Sequence, residues 1–515
     1  MNIHQLFHTI SYLKPIQVIY QLKNLVEKPK YIQMSAPIHE KPVLMTEPIA
    51  RYKGIEGDVF TFINLCYKFE DWNYVGNGTL FTYNLNYFDF INSDSFLTEE
   101  ACQWIDRFIN DIPTITWGLD PYPIALRGIN WIKFFCCHPE CATKNREDSL
   151  YSQYRLLERK LEYHLLGNHL LEDAFSLTVG GHYFGDKHMM QKGTKLLMKE
   201  LQEQILPDGA HYEQSPMYHC ILLDRLLDTI NMVQGSRLKV KGDFLFSYAE
   251  RMLGHLESIC YEDGTWPFFG DAASGIAPMT QDIKDYAHRL GLTWEALPLK
   301  ECGYRKMQSG RMEAFVDVGN IMATYQPGHS HADALNFELR IDGKPFIVDT
   351  GISTYEKNTR RQYERSTAAH NTVSSKFRNS SEVWGGFRIG RRCNVICTKD
   401  EERCIEAEHD GFGLAHRRKF SIDDNKFVIA DSCMAEDCVV HVHFAPGIRG
   451  INIEDNTIFT SLADIRVTGG ITSIVLDDCE VSTEYNIKQK SKEALISFKE
   501  KCIVTIEAKS NTQKA

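Results

Sequence analysis

Apolar residues recur at three- and four-residue spacing through 156–171, 193–204 and 221–233, the period of an amphipathic helix. Stretches that favour turns separate such segments, namely Gly180-Gly181, Pro207-Asp208-Gly209 and Asp263-Gly264. Helical patterning of this kind fills residues 58 to 295. Before it, Ile16, Ile19, Tyr20, Lys23 and Val26 outline a helix expected to pack on the body of the protein. Pro29, Pro37, Pro42 and Pro48 make residues 27–57 an extended arm. Near residue 305 the period falls to two. Leu335, Phe337, Leu339 and Ile341 alternate with Asn336, Glu338 and Arg340, Asp342-Gly343 turns the chain, and 345–349 returns. Further runs of this type, 427–431, 439–444, 474–476 and 502–508, follow without intervening helices. The pattern predicts stacked helical hairpins, as in an α/α toroid, and then an antiparallel β-sandwich. The boundaries fall at 1–57, 58–304 and 305–515.

A chain of 515 residues, 24% charged and 43% apolar, has room for two large cores and lacks the bias of a disordered protein. Its 57 basic and 68 acidic side chains leave a net charge of −11, which disfavours a nucleic-acid partner. Fifteen cysteines without a regular framework fit a reducing compartment. The group Cys136, Cys137, His138 and Cys141 matches no common zinc spacing and reads as structural thiols. The N-terminal apolar residues are interrupted by His4, Gln5, His8, Lys14 and Pro15, unlike a signal peptide, and no run approaches the roughly 20 apolar residues of a membrane span. A soluble cytoplasmic protein is expected; oligomeric state is not legible.

Candidate chemistry concentrates in a few strings. In Gly328-His329-Ser330-His331-Ala332-Asp333 two alternate histidines can face one side. His331 and His370 with Asp349 offer two imidazoles and a carboxylate, a set suited to zinc, although packing histidines would look the same. His169 and Glu172 share a helix face beside Asn168, whose amide with the imidazole would clamp a carboxylate. Ser215-Pro216 reads as a helix start, placing Tyr218 in the first turn, where the positive dipole end favours a phenolate. Arg127 with Trp131 would suit an anionic sugar, the guanidinium for a carboxylate and the indole for stacking; a helix-end cap is the alternative. His441 and His443 share a strand face and are expected to serve the sheet.

The strings 83–89, 124–131, 168–172, 211–219, 329–333 and 365–371, in this order, resemble the heparinase II/III-like polysaccharide lyases, relatives of exo-acting alginate lyases. The resemblance implies an α/α toroid followed by a β-sandwich, and β-elimination at a 4-linked uronic acid. By motif position it implies that Asn168 and His169 neutralise the uronate carboxylate with Glu172 nearby. Tyr218 would be the acid or base at the scissile bond, His329 its partner, and Tyr363 a further proton-transfer candidate. His211 and Glu213 are expected to touch substrate. Zinc on His331, Asp349 and His370 is implied in a structural role.

Three functions compete. The first is a lyase on an acidic polysaccharide, heparan-like, alginate-like or a bacterial surface glycan. The second is a glycoside hydrolase on the same scaffold, which needs two carboxylates facing a bond; Glu172, Asp173 and Glu213 are available in sequence. The third is a non-catalytic glycan-binding partner in surface-polysaccharide synthesis.

Overall fold

The computed structural model describes residues 3–238, 243–376 and 378–509, so the outermost residues of the first and last expected segments lie outside it. Helices predominate as far as Thr280–Arg289, strands begin at Tyr304–Ser309, and residues 290–303 between them carry neither. The arm opens with helices Ile3–Ser11 and Pro15–Val26 and then runs extended. A small antiparallel sheet of Ile55–Glu56, Val59–Phe62 and Leu65–Lys68 stands where the pattern predicts only helix. Strands of two to four residues are too short to display a period. They form because Phe60 inserts among Phe69, Phe90 and Trp104.

Two departures from the expected helical half position the site. The spacing over 156–171 belongs to two helices, Lys144–Lys160 and Gly167–Phe184. The chain breaks where Leu166 and Gly167 take φ of 62° and 61°, a region open to glycine and strained for leucine. The second departure is Gly180-Gly181, which makes no turn but lies inside Gly167–Phe184. A Cβ on Gly181 would fall 2.4 Å from the backbone nitrogen of Met190, and one on Gly193 would fall 2.5 Å from that of Thr178. These glycines let Gly167–Phe184 and Lys187–Gln204 approach closely, and the turn comes instead at Gly185, with φ 63°.

Apolar faces of the helices converge on one core that includes Trp131, Tyr154, Leu170, Leu223 and Phe269. Each such side chain contributes about 1.5–3 kcal/mol on burial. The β half has its own core around Phe337, Phe420 and Ile496. There, Tyr304–Ser309, Met312–Asp317, Phe337–Ile341 and Lys344–Ile347 form a four-stranded antiparallel sheet. The predicted hairpin turn forms, with Asp342 and Gly343 both at positive φ, 52° and 70°. A larger antiparallel sheet is built around the long strands Lys426–His443, Ile487–Ala508 and Ala463–Glu484, with Val373–Ser375 paired to the first of them. The loop between Met312–Asp317 and Phe337–Ile341 carries the His329 string to the helical half.

Candidate active site

Ser215 and Pro216 begin the helix Pro216–Gly235 as expected. The Ser215 hydroxyl accepts from the Tyr218 backbone N–H at 3.2 Å and donates to the Asp271 carbonyl at 2.5 Å. The cap therefore fixes Tyr218 and ties it to the loop that bears Asp271. The Tyr218 ring lies 3.9 Å from the His329 ring, tilted by 31°, and its hydroxyl is 3.3 Å from that of Tyr355. Burial pushes the Tyr218 phenol well above its usual range, so it holds its proton at neutral pH.

Asp271 is the hub of the site and is fully buried. One carboxylate oxygen lies 2.9 Å from His329 Nδ1, the other 2.8 Å from His331 Nε2. Arg361 meets both oxygens end-on, at 2.5 and 2.7 Å. Burial opposes ionisation of Asp271, but Arg361 and the two histidines hold its carboxyl well below the usual range. A carboxylate only accepts, so each histidine must present N–H to it. In the neutral rings this leaves a lone pair on His329 Nε2 and one on His331 Nδ1. Gly270 permits the approach, since at φ 59° a Cβ there would lie 2.8 Å from the His329 carbonyl oxygen. A lone aspartate after a glycine gave no sequence signal for this role.

Asn168 occupies the first turn of Gly167–Phe184, and its backbone N–H donates to Glu213 Oε1 at 2.8 Å. Its amide spans both Glu213 oxygens at 3.2 and 3.0 Å and lies 3.4 Å from His329 Nε2. Glu213 is thus a buried carboxyl at a helix N-terminus that aims Asn168. Next to it, His169 is 2.9 Å from Glu162 through Nδ1 and packs on Tyr122 at 4.5 Å. Burial would lower the His169 pKa, yet Glu162 raises it, which favours an imidazolium. Tyr122 in turn meets Tyr87, 5.9 Å away; Tyr87 joins the site from a string read only as a family marker, and Tyr122 is not among the expected site residues. Glu172 is fully buried behind this surface, with Arg225 3.7 Å away, and burial raises its carboxyl to about 7.

His331 and His370 come together, their rings 5.2 Å apart. His370 Nδ1 is 2.7 Å from Asp349, which leaves His370 Nε2 as the open atom, matched by His331 Nδ1. Both open nitrogens are buried without hydrogen-bond partners, and the Asp333 carboxylate lies within 4.8 Å of them. Two lone pairs and a carboxylate facing one point fit a divalent cation. The carboxylate facing that point is Asp333, whereas Asp349 sits behind His370 and orients it.

Other expected residues stand apart. Arg127 is fully buried and spends its guanidinium on Gln153 at 2.8 Å and on the carbonyls of Asn86 and Gly118, each at 2.9 Å. It staples the toroid rather than facing a sugar. Trp131 is enclosed by Phe88, Phe108 and Phe135. His211 is bonded to Gln204 at 2.9 Å, and Gln204 donates to the Gly167 carbonyl, so His211 supports the helix start from below. Tyr363 has Arg360, Cys479 and Glu493 as its electrostatic neighbours; the second tyrosine at Tyr218 is Tyr355.

Residues 148–291 match the family profile Heparinase II/III N-terminus, and residues 292–513 match Heparinase II/III-like, C-terminal. A heparin-sulfate lyase of Bacteroides stercoris is 24% identical over 338 residues, covering 59% of this chain and 49% of that protein. One from Bacteroides thetaiotaomicron is 24% identical over 323 residues, covering 52% and 44%. The chain thus spans about half the length, or less, of the curated relatives it matches. Among solved structures, a heparinase III superposes with a TM-score of 0.64 at 17% identity, covering 87% of this chain and 82% of its own. A Streptomyces coelicolor chondroitin AC lyase gives 0.51 at 11% identity, covering 85% and 75%. These likenesses show a shared fold, helical toroid followed by antiparallel sheets.

Proposed function

The chain belongs to the heparinase II/III-like family, and on that premise we propose that it is a polysaccharide lyase cleaving a uronic-acid glycan by β-elimination. One observation carries the reading: Asn168 and Tyr218 from the helical half meet His329 from the β half, and Asp271 fixes the tautomer of that histidine. In the proposed reaction the Asn168 amide and the His169 imidazolium bind the uronate carboxylate and draw off its charge, which acidifies the C5 proton. The lone pair of His329 Nε2 takes that proton. Electrons from the C5–H bond form the C4–C5 double bond as the C4–O bond breaks, and the Tyr218 phenol gives its proton to the departing oxygen. Tyr87 and Tyr122 supply ring faces for the sugar.

Carboxylate placement favours elimination over hydrolysis. Glu213 is locked to Asn168, Asp173 accepts from the Glu162 backbone at 2.8 Å, and Glu172 lies buried beside Arg225. Each is committed to protein partners rather than to a bond between them. Zinc held by His331, His370 and Asp333 belongs to the proposal: when bound, it would fix the loop that carries His329. The 15 free cysteines support a reducing compartment. No helix among the described residues is long and apolar enough to cross a membrane.

The test offers heparan-type, alginate-type and bacterial surface uronates and follows ultraviolet absorbance of a 4,5-unsaturated end alongside reducing ends. Both signals rising together is expected. New reducing ends without the chromophore would overturn elimination in favour of hydrolysis, and binding with neither signal would leave a glycan-binding protein.

A further inference from the structure

A second pair of histidines closes the strand Lys426–His443. The rings of His441 and His443 lie on one face, 6.2 Å apart and within 7° of parallel. Glu493, paired in register with His443 on the strand Ile487–Ala508, reaches between them. One nitrogen of each ring and a Glu493 oxygen lie within 4.8 Å of one another.

Asn371 fixes the tautomer of His443. Asn371 donates through its amide nitrogen to the carbonyls of Phe337 and Val348, both at 2.9 Å, so the amide orientation is fixed. Its oxygen accepts from the His443 backbone N–H at 2.7 Å and from Nδ1 at 3.1 Å. Nδ1 therefore carries a proton, and in the neutral ring Nε2 is a bare lone pair. That lone pair faces Glu493 Oε2 at 3.1 Å, and Nε2 is buried without a hydrogen-bond partner. Two acceptors held so close inside a protein repel unless something positive lies between them. His441 flanks the same oxygen differently: its Nε2 is 2.9 Å from the Ser374 hydroxyl, which can donate or accept, and its Nδ1 is within hydrogen-bond reach of Glu493 Oε2 at 3.5 Å.

The spacing suits a small cation. Ligands about 2.0–2.1 Å from a tetrahedral zinc ion lie roughly 3.3–3.4 Å from each other, and the two nitrogen–oxygen separations, 3.1 and 3.5 Å, bracket that edge. Each imidazole has the outer partner that a metal-bound histidine requires, Asn371 for one and Ser374 for the other. The Glu493 side chain is 12% exposed, which leaves a route for the ion and a place for water in the remaining position. We propose that His441, His443 and Glu493 form a second transition-metal site, of the zinc class, that clamps the two central strands of the large sheet. Asn371 follows His370 in the chain, so this clamp also braces the first histidine pair. It is independent of the reaction assigned to the cleft.

Metal-stripped full-length protein would be titrated with Co²⁺ and with Zn²⁺, reading bound metal by elemental analysis and the visible absorbance of cobalt. Wild type, His331→Ala, Glu493→Gln and His443→Gln would be compared. The equivalent that remains in His331→Ala is expected to vanish, or weaken at least 100-fold, in Glu493→Gln and His443→Gln, which keep only metal held by the first histidine pair. Unchanged binding in Glu493→Gln would overturn the proposal and leave an imidazolium–carboxylate ion pair. Should the variants fail to fold, anomalous diffraction at the zinc edge from zinc-loaded wild-type crystals decides. A peak between His441 Nδ1 and His443 Nε2 supports the site, and none there refutes it.

Discussion

Tyr218 and His329 lie ring against ring, 3.9 Å between centroids, although one begins a toroid helix and the other sits in a loop of the β half. In the proposed reaction the stacking would set both rings at one bond of the substrate, each with a different proton task. Tyr218→Phe keeps the stacking and removes only the hydroxyl. The chromophore-forming rate is expected to fall by about 10²–10⁴-fold, with thermal stability and glycan affinity nearly unchanged. Turnover at the wild-type rate would remove Tyr218 from the mechanism.

Asp271→Asn tests the hub. The amide cannot accept from both histidines and still neutralise Arg361, so a buried cation loses its partner. Stability is expected to drop by on the order of 3–5 kcal/mol, measured by urea unfolding. Activity should fall further than in His331→Ala, because only the Asp271 change frees the tautomer of His329.

Arg127→Ala addresses a residue that sequence chemistry assigned to the sugar. Its removal strands the Gln153, Asn86 and Gly118 acceptors in the interior. A loss of about 3 kcal/mol in stability is expected, with KM unchanged in the fraction that folds. A raised KM at unchanged Tm would restore the binding role.

Glu172 makes stability depend on pH. Burial, opposed by Arg225, raises its carboxyl from 4.5 to about 7 in the folded protein. The folded state then holds a proton that the unfolded chain has released. The contribution is complete below the unfolded value and is lost as pH rises through about 7. Glu172→Gln does not titrate. Relative to that variant, wild type should lose on the order of 3 kcal/mol between pH 4 and pH 8, as read by calorimetry at several pH values. Parallel curves would show that folding does not shift the Glu172 carboxyl.

The change of period near residue 305 was visible because long strands and long helices each repeat their pattern several times. The Asn168, Tyr218 and His329 strings were visible because each carries its local logic, a helix start or a pair of alternate histidines. What escaped has a tertiary cause. Gly180-Gly181 looks like a turn to any local reading, and only the backbone of Met190, 2.4 Å from a would-be Cβ, explains glycine there. Arg127 looks like a sugar-binding cation or a helix-end cap because a buried guanidinium satisfied by one side-chain amide and two backbone carbonyls leaves no trace in sequence. Asp349 looks like the ligand in sequence; only the ring orientation of His370, with Nδ1 on Asp349, turns the open nitrogen toward Asp333 instead. Asp271 had no neighbouring signal, since all its partners are distant in the chain.

The Asp271–Arg361 pair has one last consequence. It joins residues 90 positions apart across the seam between the halves. In the proposed reaction turnover would therefore double as a gauge of docking: a folded toroid beside a folded but detached sandwich would be inert. In a denaturant series, catalysis should vanish at the first of any two unfolding steps. Two separately expressed fragments, cut within 290–303, should each be silent and regain activity together on mixing.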